Sequence, residues 1–423
     1  GNDYFDDTYF RNGRAEKFSG YCTDVWLDEM LRFIGEDHGN QPFFIYLPTN
    51  AMHSPFTVVE EYSKPYLEMG VPEQRAIFYG MIANFDENLG RLLDTLSDSG
   101  LDQNTLVIFM GDNGTAAGSN GKGTKDDGFN AGMRGKKGSA YEGGHRVACF
   151  AHWPARLQAG RVVDKLTSHR DWMPTLIDLC DLKAPEGVSF DGQSIAPLLL
   201  GTPGDWPDRT LFIERQPDDI QPATLESNAV PFAVLTERWR MVNGELYDIQ
   251  KDPAQSNDVG SAHPEVVAEL FTAYEEHYAD VMGHGGKPVS FLLGAEQQNP
   301  THLTVRDWHP IDGAVIWHPA QLADDELFIN GWWAVEIARP GRYAIRLSRY
   351  PEDAPNPMGA NSARLRIGAL EESKPVNAED IFVTFEVDLP AGPAKLETWL
   401  TDSASGKDRG AYHLRAERIG DTK

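Results

Sequence analysis

Cysteine is nearly absent from this chain: Cys22, Cys149 and Cys180 are the three present in 423 residues. That number is too small and too odd for a disulfide framework, and it gives no guide to redox compartment. Long apolar runs are missing as well. No stretch of 18 apolar residues occurs, which excludes a membrane-spanning helix on sequence grounds. Positive charge is scarce, with 38 Lys and Arg against 64 Asp and Glu and a formal net charge of −26. Nucleic acid is therefore excluded as a partner, because binding would add phosphate charge to a field that is already negative. The same field repels small anions at long range, so an anion site here requires a local cluster of cations, metal or backbone N–H groups. The chain opens at Gly1 without Met, in a polar aromatic stretch, and reads as an incomplete N-terminus with any targeting peptide outside it.

What is present suits a globular protein. Hydrophobic residues make up 41% of the chain, with 10 Trp, 14 Tyr and 20 Phe, which excludes a disordered polypeptide. The length exceeds the roughly 250 to 300 residues at which single cores stop growing, so two domains are expected.

The first half alternates buried-type strands with amphipathic helices, the pattern of an α/β domain with a mainly parallel sheet. Val25, Met30, Leu31 and Ile34 share a helix face, with Thr23 or Asp24 as cap. Phe43 to Leu47, bracketed by Pro42 and Pro48, reads as a fully buried strand. Residues 74 to 98 carry apolar side chains at three- and four-residue steps up to Gly100, which predicts a long helix with a glycine stop. Thr105 to Met110 and Val147 to His152 read as further strands, Met173 to Leu179 as a helix, 231 to 249 as two short strands turning at Asn243 and Gly244, and 264 to 281 as a last helix. After Gly283 to Gly286 the texture changes. Alternating β-type runs recur at Trp332 to Ala338, Arg342 to Ser348, Ala363 to Ile367, Ile381 to Leu389, Lys395 to Leu400 and Tyr412 to Arg418, which predicts an antiparallel β-sandwich. The expected domains are 1–288, with a small subdomain from about 210, and 289–423.

Three segments carry candidate chemistry. Gly111, Asp112, Asn113 and Gly114 follow a predicted strand, where open α/β sheets place ligands. A carboxylate beside a carboxamide offers two hard oxygen donors to one cation, although the same residues make ordinary turns. His53 lies just beyond another predicted strand and is able to hold a proton near an anion. Gly132 to Arg146 gathers Arg134, Lys136, Lys137 and Arg146 among glycines, the local positive cluster that the global charge demands. Ser139 and Glu142 have capping-box spacing, but Gly143 and Gly144 favour a structured loop.

Taken together, "YLPTNAMHSPF", "LDQNTLVIFMGDNG", "GMRGKKGSAYEGGHRV…HWP", "SHRDWMPTLIDL" and "ELYDIQKDP" resemble the sulfatases of the alkaline phosphatase superfamily, in the same order and with similar gaps over roughly residues 21 to 283. The resemblance implies an alkaline-phosphatase-like α/β fold, with a mainly parallel central sheet sandwiched by helices. It also implies hydrolysis of sulfate esters, sulfated carbohydrate being the expected substrate class, in a secreted or periplasmic protein. Carried over residue by residue, Asp112 and Asn113 match calcium ligands, His53 matches the histidine that contacts the sulfate ester, and Lys137 matches the lysine that binds a sulfate oxygen. Glu142, Arg146 and Asp171 match structural positions around that site. Asn113, where phosphatase relatives carry His, suits one hard calcium ion and favours sulfate over phosphate esters.

The family's C-x-P-S-R motif, whose first residue becomes the formylglycine nucleophile, is not found in these 423 residues. The expectation is that this chain is a fragment of a complete enzyme and is inactive by itself. Two other readings stand beside it: a phosphoesterase or phosphonate hydrolase of the same superfamily, and a non-catalytic protein that binds sulfated glycans. Trp308, Trp317, Trp332, Trp333, Tyr343 and Trp399 in the C-terminal region are read first as core residues and second as a sugar-stacking platform.

Overall fold

The computed structural model describes residues 3–36, 38–39, 41–116, 128–202, 204, 206–214, 232–283, 288–312, 315–316 and 319–422. The chain divides into two compact units, the first running to Tyr278 and the second from Ala279. The break expected at Gly283 to Gly286 falls largely outside the described residues, as does Trp317.

In the first unit a hairpin, β1 (Thr8–Arg11) and β2 (Arg14–Lys17), precedes α1 (Cys22–Ile34), α2 (Glu60–Glu68) and α3 (Glu73–Asp98). Next come β3 (Val107–Met110), the single turn α4 (Glu142–His145), β4 (Cys149–His152), α5 (Trp172–Leu179) and α6 (Ala196–Leu200). The long helix matches its sequence pattern: α3 ends at Ser99, and Gly100 takes the left-handed conformation, φ 71°. Its neighbour α1 differs at the start. Tyr21, not Thr23 or Asp24, is the N-cap and makes no side-chain cap. Asp24 instead accepts hydrogen bonds from Asn84 Nδ2 (2.8 Å) and Asn88 Nδ2 (2.7 Å) of α3, so its carboxylate ties two helices together.

Phe43 to Leu47 is extended but joins no ladder among the described residues. Phe43, Ile45 and Leu47 pack with Leu27, Met30 and Leu92 of α1 and α3, while Phe44 and Tyr46 point outward, 77% and 76% exposed. The segment is thus half-buried where the unbroken apolar run suggested full burial. β3 and β4 pair antiparallel, with Val107 opposite His152 and Met110 opposite Cys149, and no parallel ladder occurs among the described strands of this unit.

The subdomain that follows is a four-stranded antiparallel sheet in the order β5 (Leu211–Glu214), β6 (Phe232–Leu235), β7 (Trp239–Val242) and β8 (Glu245–Asp248). Three strands, not two, occupy 231 to 249, and the last two turn at Asn243 and Gly244. Helix α7 (Pro264–Gly283) lays Leu270 and Tyr274 onto Phe232, Val234, Met241 and Leu246 of one sheet face. The other face packs Ala233, Leu235 and Val242 against Ala140 of the glycine-rich loop.

The second unit is a β-sandwich. One sheet has the order β10 (Thr301–Thr304), β19 (His413–Gly420), β13 (Gly341–Ser348) and β16 (Val383–Leu389). The other runs β11 (His309–Asp312), β12 (Asn330–Ile337), β17 (Gly392–Asp402), β14 (Ala360–Ile367) and β15 (Leu370–Pro375), with β9 (Phe291–Leu293) on β12 and β18 (Asp408–Arg409) on β17. The short helix α8 (Pro319–Leu322) precedes β12. Trp333, Tyr343, Ile345, Leu365, Phe385 and Leu396 are fully buried between the sheets, as the alternation of both inner faces requires.

Candidate active site

The Asp112 turn is built by the pairing of β3 with β4. Gly111 N–H donates to Ala148 O at 3.1 Å, continuing the ladder one residue past Met110. The chain then turns, and Asp112 Oδ1 accepts the N–H of Asn113 at 2.8 Å. Two backbone hydrogen bonds carry the glycine-rich loop to this turn: Gly114 N–H to Gly144 O (2.9 Å) and Lys137 N–H to Thr115 O (3.0 Å). Such close approach tolerates no side chain. A Cβ on Gly114 would stand 1.9 Å from Gly143 O, one on Gly144 would stand 1.9 Å from Ser139 O, and one on Gly143 would stand 2.3 Å from Gly135 O. The glycines therefore serve to pack two backbones together, which sets Asp112 and Asn113 on the segment adjoining Lys137.

Within the loop, Asn130 Nδ2 donates to Met133 O (2.6 Å) and Gly135 O (3.1 Å). Arg134 is not available to an anion: it donates to Tyr247 Oη (3.0 Å) and Gln255 O (3.2 Å) and stacks on Tyr141 at 3.8 Å. Lys136 and Lys137 are exposed, and no hydrogen bond or ion pair involving either ammonium group occurs among the described residues. The capping box does not form. Ser139 Oγ accepts from Tyr141 N–H at 3.1 Å, and α4 begins after Tyr141 in spite of its two glycines.

Glu142 explains that short helix. It is buried, paired with Arg240 through Oε1 and with Arg146 through Oε2 (3.3 Å), and its N–H donates to Gln255 Oε1 at 2.8 Å. Burial alone would raise its pKa, but Arg240, His145 and Arg146 together hold the carboxyl below its usual range. His145 moves down for the opposite reason: burial disfavours its cation more than Glu142 favours it. Its Nε2 is buried without a hydrogen-bond partner.

Asp171 is fully buried and engaged from all sides. Arg209 grips it with two hydrogen bonds (2.8 and 3.0 Å), while Ser168 N–H (2.7 Å) and Gln193 N–H (3.0 Å) complete its shell. This anchors His169, whose Nε2 lies 2.8 Å from Gly111 O at the base of the Asp112 turn. His53 lies on the loop after Phe43 to Leu47. Tyr4 Oη donates to its carbonyl at 2.8 Å, and its Nδ1 lies 2.8 Å from Ser54 O. No hydrogen bond or ion pair joins His53 to Asp112, Asn113 or Lys137 among the described residues.

The structure thus joins the Asp112 turn to the loop that carries Lys137, with Glu142, Asp171 and His169 bonded to the surrounding segments, and His53 lies on the loop after Phe43 to Leu47. Asp112 and Asn113 supply two oxygen donors of the hard type calcium takes, out of the six to eight it normally gathers. They fit part of such a cage. No group of three or more His, Cys, Asp or Glu converges among the described residues. Arg240, Gln255, Arg209 and His169 were not singled out from the sequence. They act through contacts 58 to 113 residues away or, for Arg209, 38 residues away, and no local pattern announces such partners.

Comparison with known proteins gives the family and the fold. The family described as Sulfatase matches residues 1–182, and the family described as N-sulphoglucosamine sulphohydrolase, C-terminal, matches residues 135–279. Human N-acetylgalactosamine-6-sulfatase is 32% identical over 217 residues, 51% of this chain and 39% of that protein. Human arylsulfatase A is 29% identical over 321 residues, 74% of this chain and 56% of that protein. The crystal structure of Ps i-CgsB in complex with k-i-k-neocarrahexaose superposes with a TM-score of 0.56 at 26% identity, covering 64% of this chain and 57% of that one. The fold is that of the α/β, alkaline-phosphatase-like hydrolases, followed by an antiparallel β-sandwich. Within that class, the family match over residues 1–182 and the curated relatives identify a sulfatase domain in this chain. The chain spans less than two thirds of the length of the curated relatives it matches.

Proposed function

We propose that this chain forms part of a sulfate-ester hydrolase acting on sulfated carbohydrate outside the cytoplasm, and that residues 1–423 alone do not turn over. The observation that carries the reading is the backbone stitching of the loop that carries Lys137 onto the turn that carries Asp112 and Asn113. Asp112 and Asn113 hold a calcium ion, and Lys137 binds a sulfate oxygen. His53 orients the ester or assists its leaving oxygen. Glu142, Arg146 and Asp171 keep the two loops in place. When bound, calcium supplies positive charge to the sulfuryl oxygens, and formylglycine, expected upstream of this chain, supplies the nucleophile.

Calcium titration of the chain tests the metal assignment. Weak binding is expected, lost in the Asp112→Ala, Asn113→Ala double variant, and equal binding by that variant would refute the ligand pair. Assays of the chain with an aryl sulfate and an aryl phosphate test the rest: no turnover is expected, and clear hydrolysis overturns the fragment reading. In a longer protein carrying C-x-P-S-R, sulfate is expected to be preferred, and Lys137→Ala to lower the rate far more than the stability.

A further inference from the structure

The aromatic residues of the sandwich divide into two sets. Trp308, Trp333 and Tyr343 are buried in the core, whereas Trp332 and Trp399 project from the outer face of the seven-stranded sheet. Register places them in adjacent cross-strand rows: Trp332 faces Glu397, Glu397 faces Arg366, and Trp399 faces Arg364. Neighbouring strands stand about 4.8 Å apart and residues two apart along a strand about 7 Å, so the two indoles lie within about 9 Å of one another.

Cations surround both rings. Arg364 lies over Trp399 at 3.9 Å, Arg366 over the same ring at 5.2 Å, and Lys395 over Trp332 at 5.0 Å. Arg366 and Lys395 share the buried carboxylate of Glu397, at 2.5 and 3.1 Å. Arg364 is held differently: its nearest carboxylates, Glu371 and Asp408, stand at 3.6 and 3.9 Å, beyond hydrogen-bond distance. A guanidinium held over an indole, with no carboxylate within hydrogen-bond distance of its fork, is preorganised for an oxyanion.

We propose that this outer face, centred on Trp399 and Arg364, binds a sulfated polysaccharide, with sugar rings against the indoles and sulfate groups on Arg364 and Lys395. The choice of sulfated carbohydrate rests on the function proposed above; the site is separate in sequence and fold from the Asp112 turn. In a chain of net charge −26, this face sets Arg364, Arg366 and Lys395 against Glu371, Glu397 and Asp408 and is locally neutral where the rest of the chain is negative, which lets a polyanion approach the indoles.

Affinity electrophoresis of the full chain in gels containing chondroitin sulfate, desulfated chondroitin or polyglutamate tests this. Strong retardation by chondroitin sulfate alone is expected, with at least tenfold weaker retention in Arg364→Glu and in Trp399→Ala. Arg364→Gln serves as the folded control should either variant unfold, and it is expected to lose several-fold. No retardation of the wild-type chain, unchanged retention in the variants, or equal retention by polyglutamate would each overturn the site. Because Asp112→Ala is scored by calcium binding and Arg364→Glu by retention, failure of the active-site reading and failure of this one are told apart.

Discussion

In the sandwich, alternation along β13 is complete: Tyr343, Ile345 and Leu347 are buried, while Arg342, Ala344 and Arg346 face outward. In the first unit the same rule yields a different surface. Phe44 and Tyr46 alternate with Phe43, Ile45 and Leu47 just as regularly, yet the outward residues are large and aromatic, and Phe150 of β4 is 65% exposed. Apart from Trp332 and Trp399, the main sandwich strands carry mostly polar side chains on the face that meets water. The first unit carries apolar side chains on both faces, the composition of strands covered on two sides. Inward packing is thus satisfied in both units, and what separates them is the chemistry of the outer face.

The largest effect belongs to the sandwich core. Trp333→Ala empties a site that is completely buried and is expected to cost about 3 to 5 kcal/mol in denaturant unfolding. A loss below about 1 kcal/mol would mean that the core is looser than its packing indicates. In the first unit the comparable damage is electrostatic. Glu142→Gln leaves Arg240 buried without its carboxylate, at a cost of about 3 kcal/mol. An unchanged midpoint would show that the pair does not hold the glycine-rich loop. Gly144→Ala should cost about 1 to 3 kcal/mol by forcing the loop away from Ser139 O, and it should weaken calcium binding in parallel. Stability loss with intact calcium affinity would separate the loop from the Asp112 turn.

A pH titration adds a smaller effect of definite sign. His145 has its folded pKa held below the usual 6.5, and Glu142 below its usual 4.5. Both therefore contribute stability that is fully present above those values. On acidification the unfolded chain takes up protons first, so stability declines from about pH 6.5 through His145 and again below about 4.5 through Glu142. In His145→Gln the upper decline should shrink, the remainder belonging to His309 and His413 of the sandwich, whose cations burial also disfavours, while the lower one persists. A decline of unchanged size in this variant would assign the effect to those two groups.

How much was legible in the sequence follows from which forces are local. Helix α3 was readable because its apolar steps and Gly100 lie within one segment, and the main sandwich strands because two-residue alternation is a local signal. β15 was missed: Leu370–Pro375 is a charged edge strand with little apolar content. Phe43 to Leu47 was read as fully buried because periodicity cannot say what covers a strand's second face. At the candidate site, Asp112, Asn113 and Lys137 were readable from residue type and order. The reason their segments meet, three glycines too close for any Cβ, was not, nor were Arg240 and Gln255, which reach Glu142 across 98 and 113 residues.

The smallest expected change is the sharpest test of the contrast between outer faces. Phe150→Ser removes an aromatic ring that is mostly in solvent and opposes Phe109 on β3. Its stability cost should be about 0.5 kcal/mol, the low end for an aromatic pair, because the ring stacks on Phe109 at 6.1 Å between centroids while remaining mostly in solvent. Solubility should rise nonetheless, because exposed aromatic surface at a strand face promotes association. If static light scattering of the variant shows less self-association at that small cost in stability, the exposed face of the first unit is an associating surface. A cost near 2 kcal/mol would instead mean that Phe150 is packed in solution, and the difference between the two units would shrink to the order of their cores.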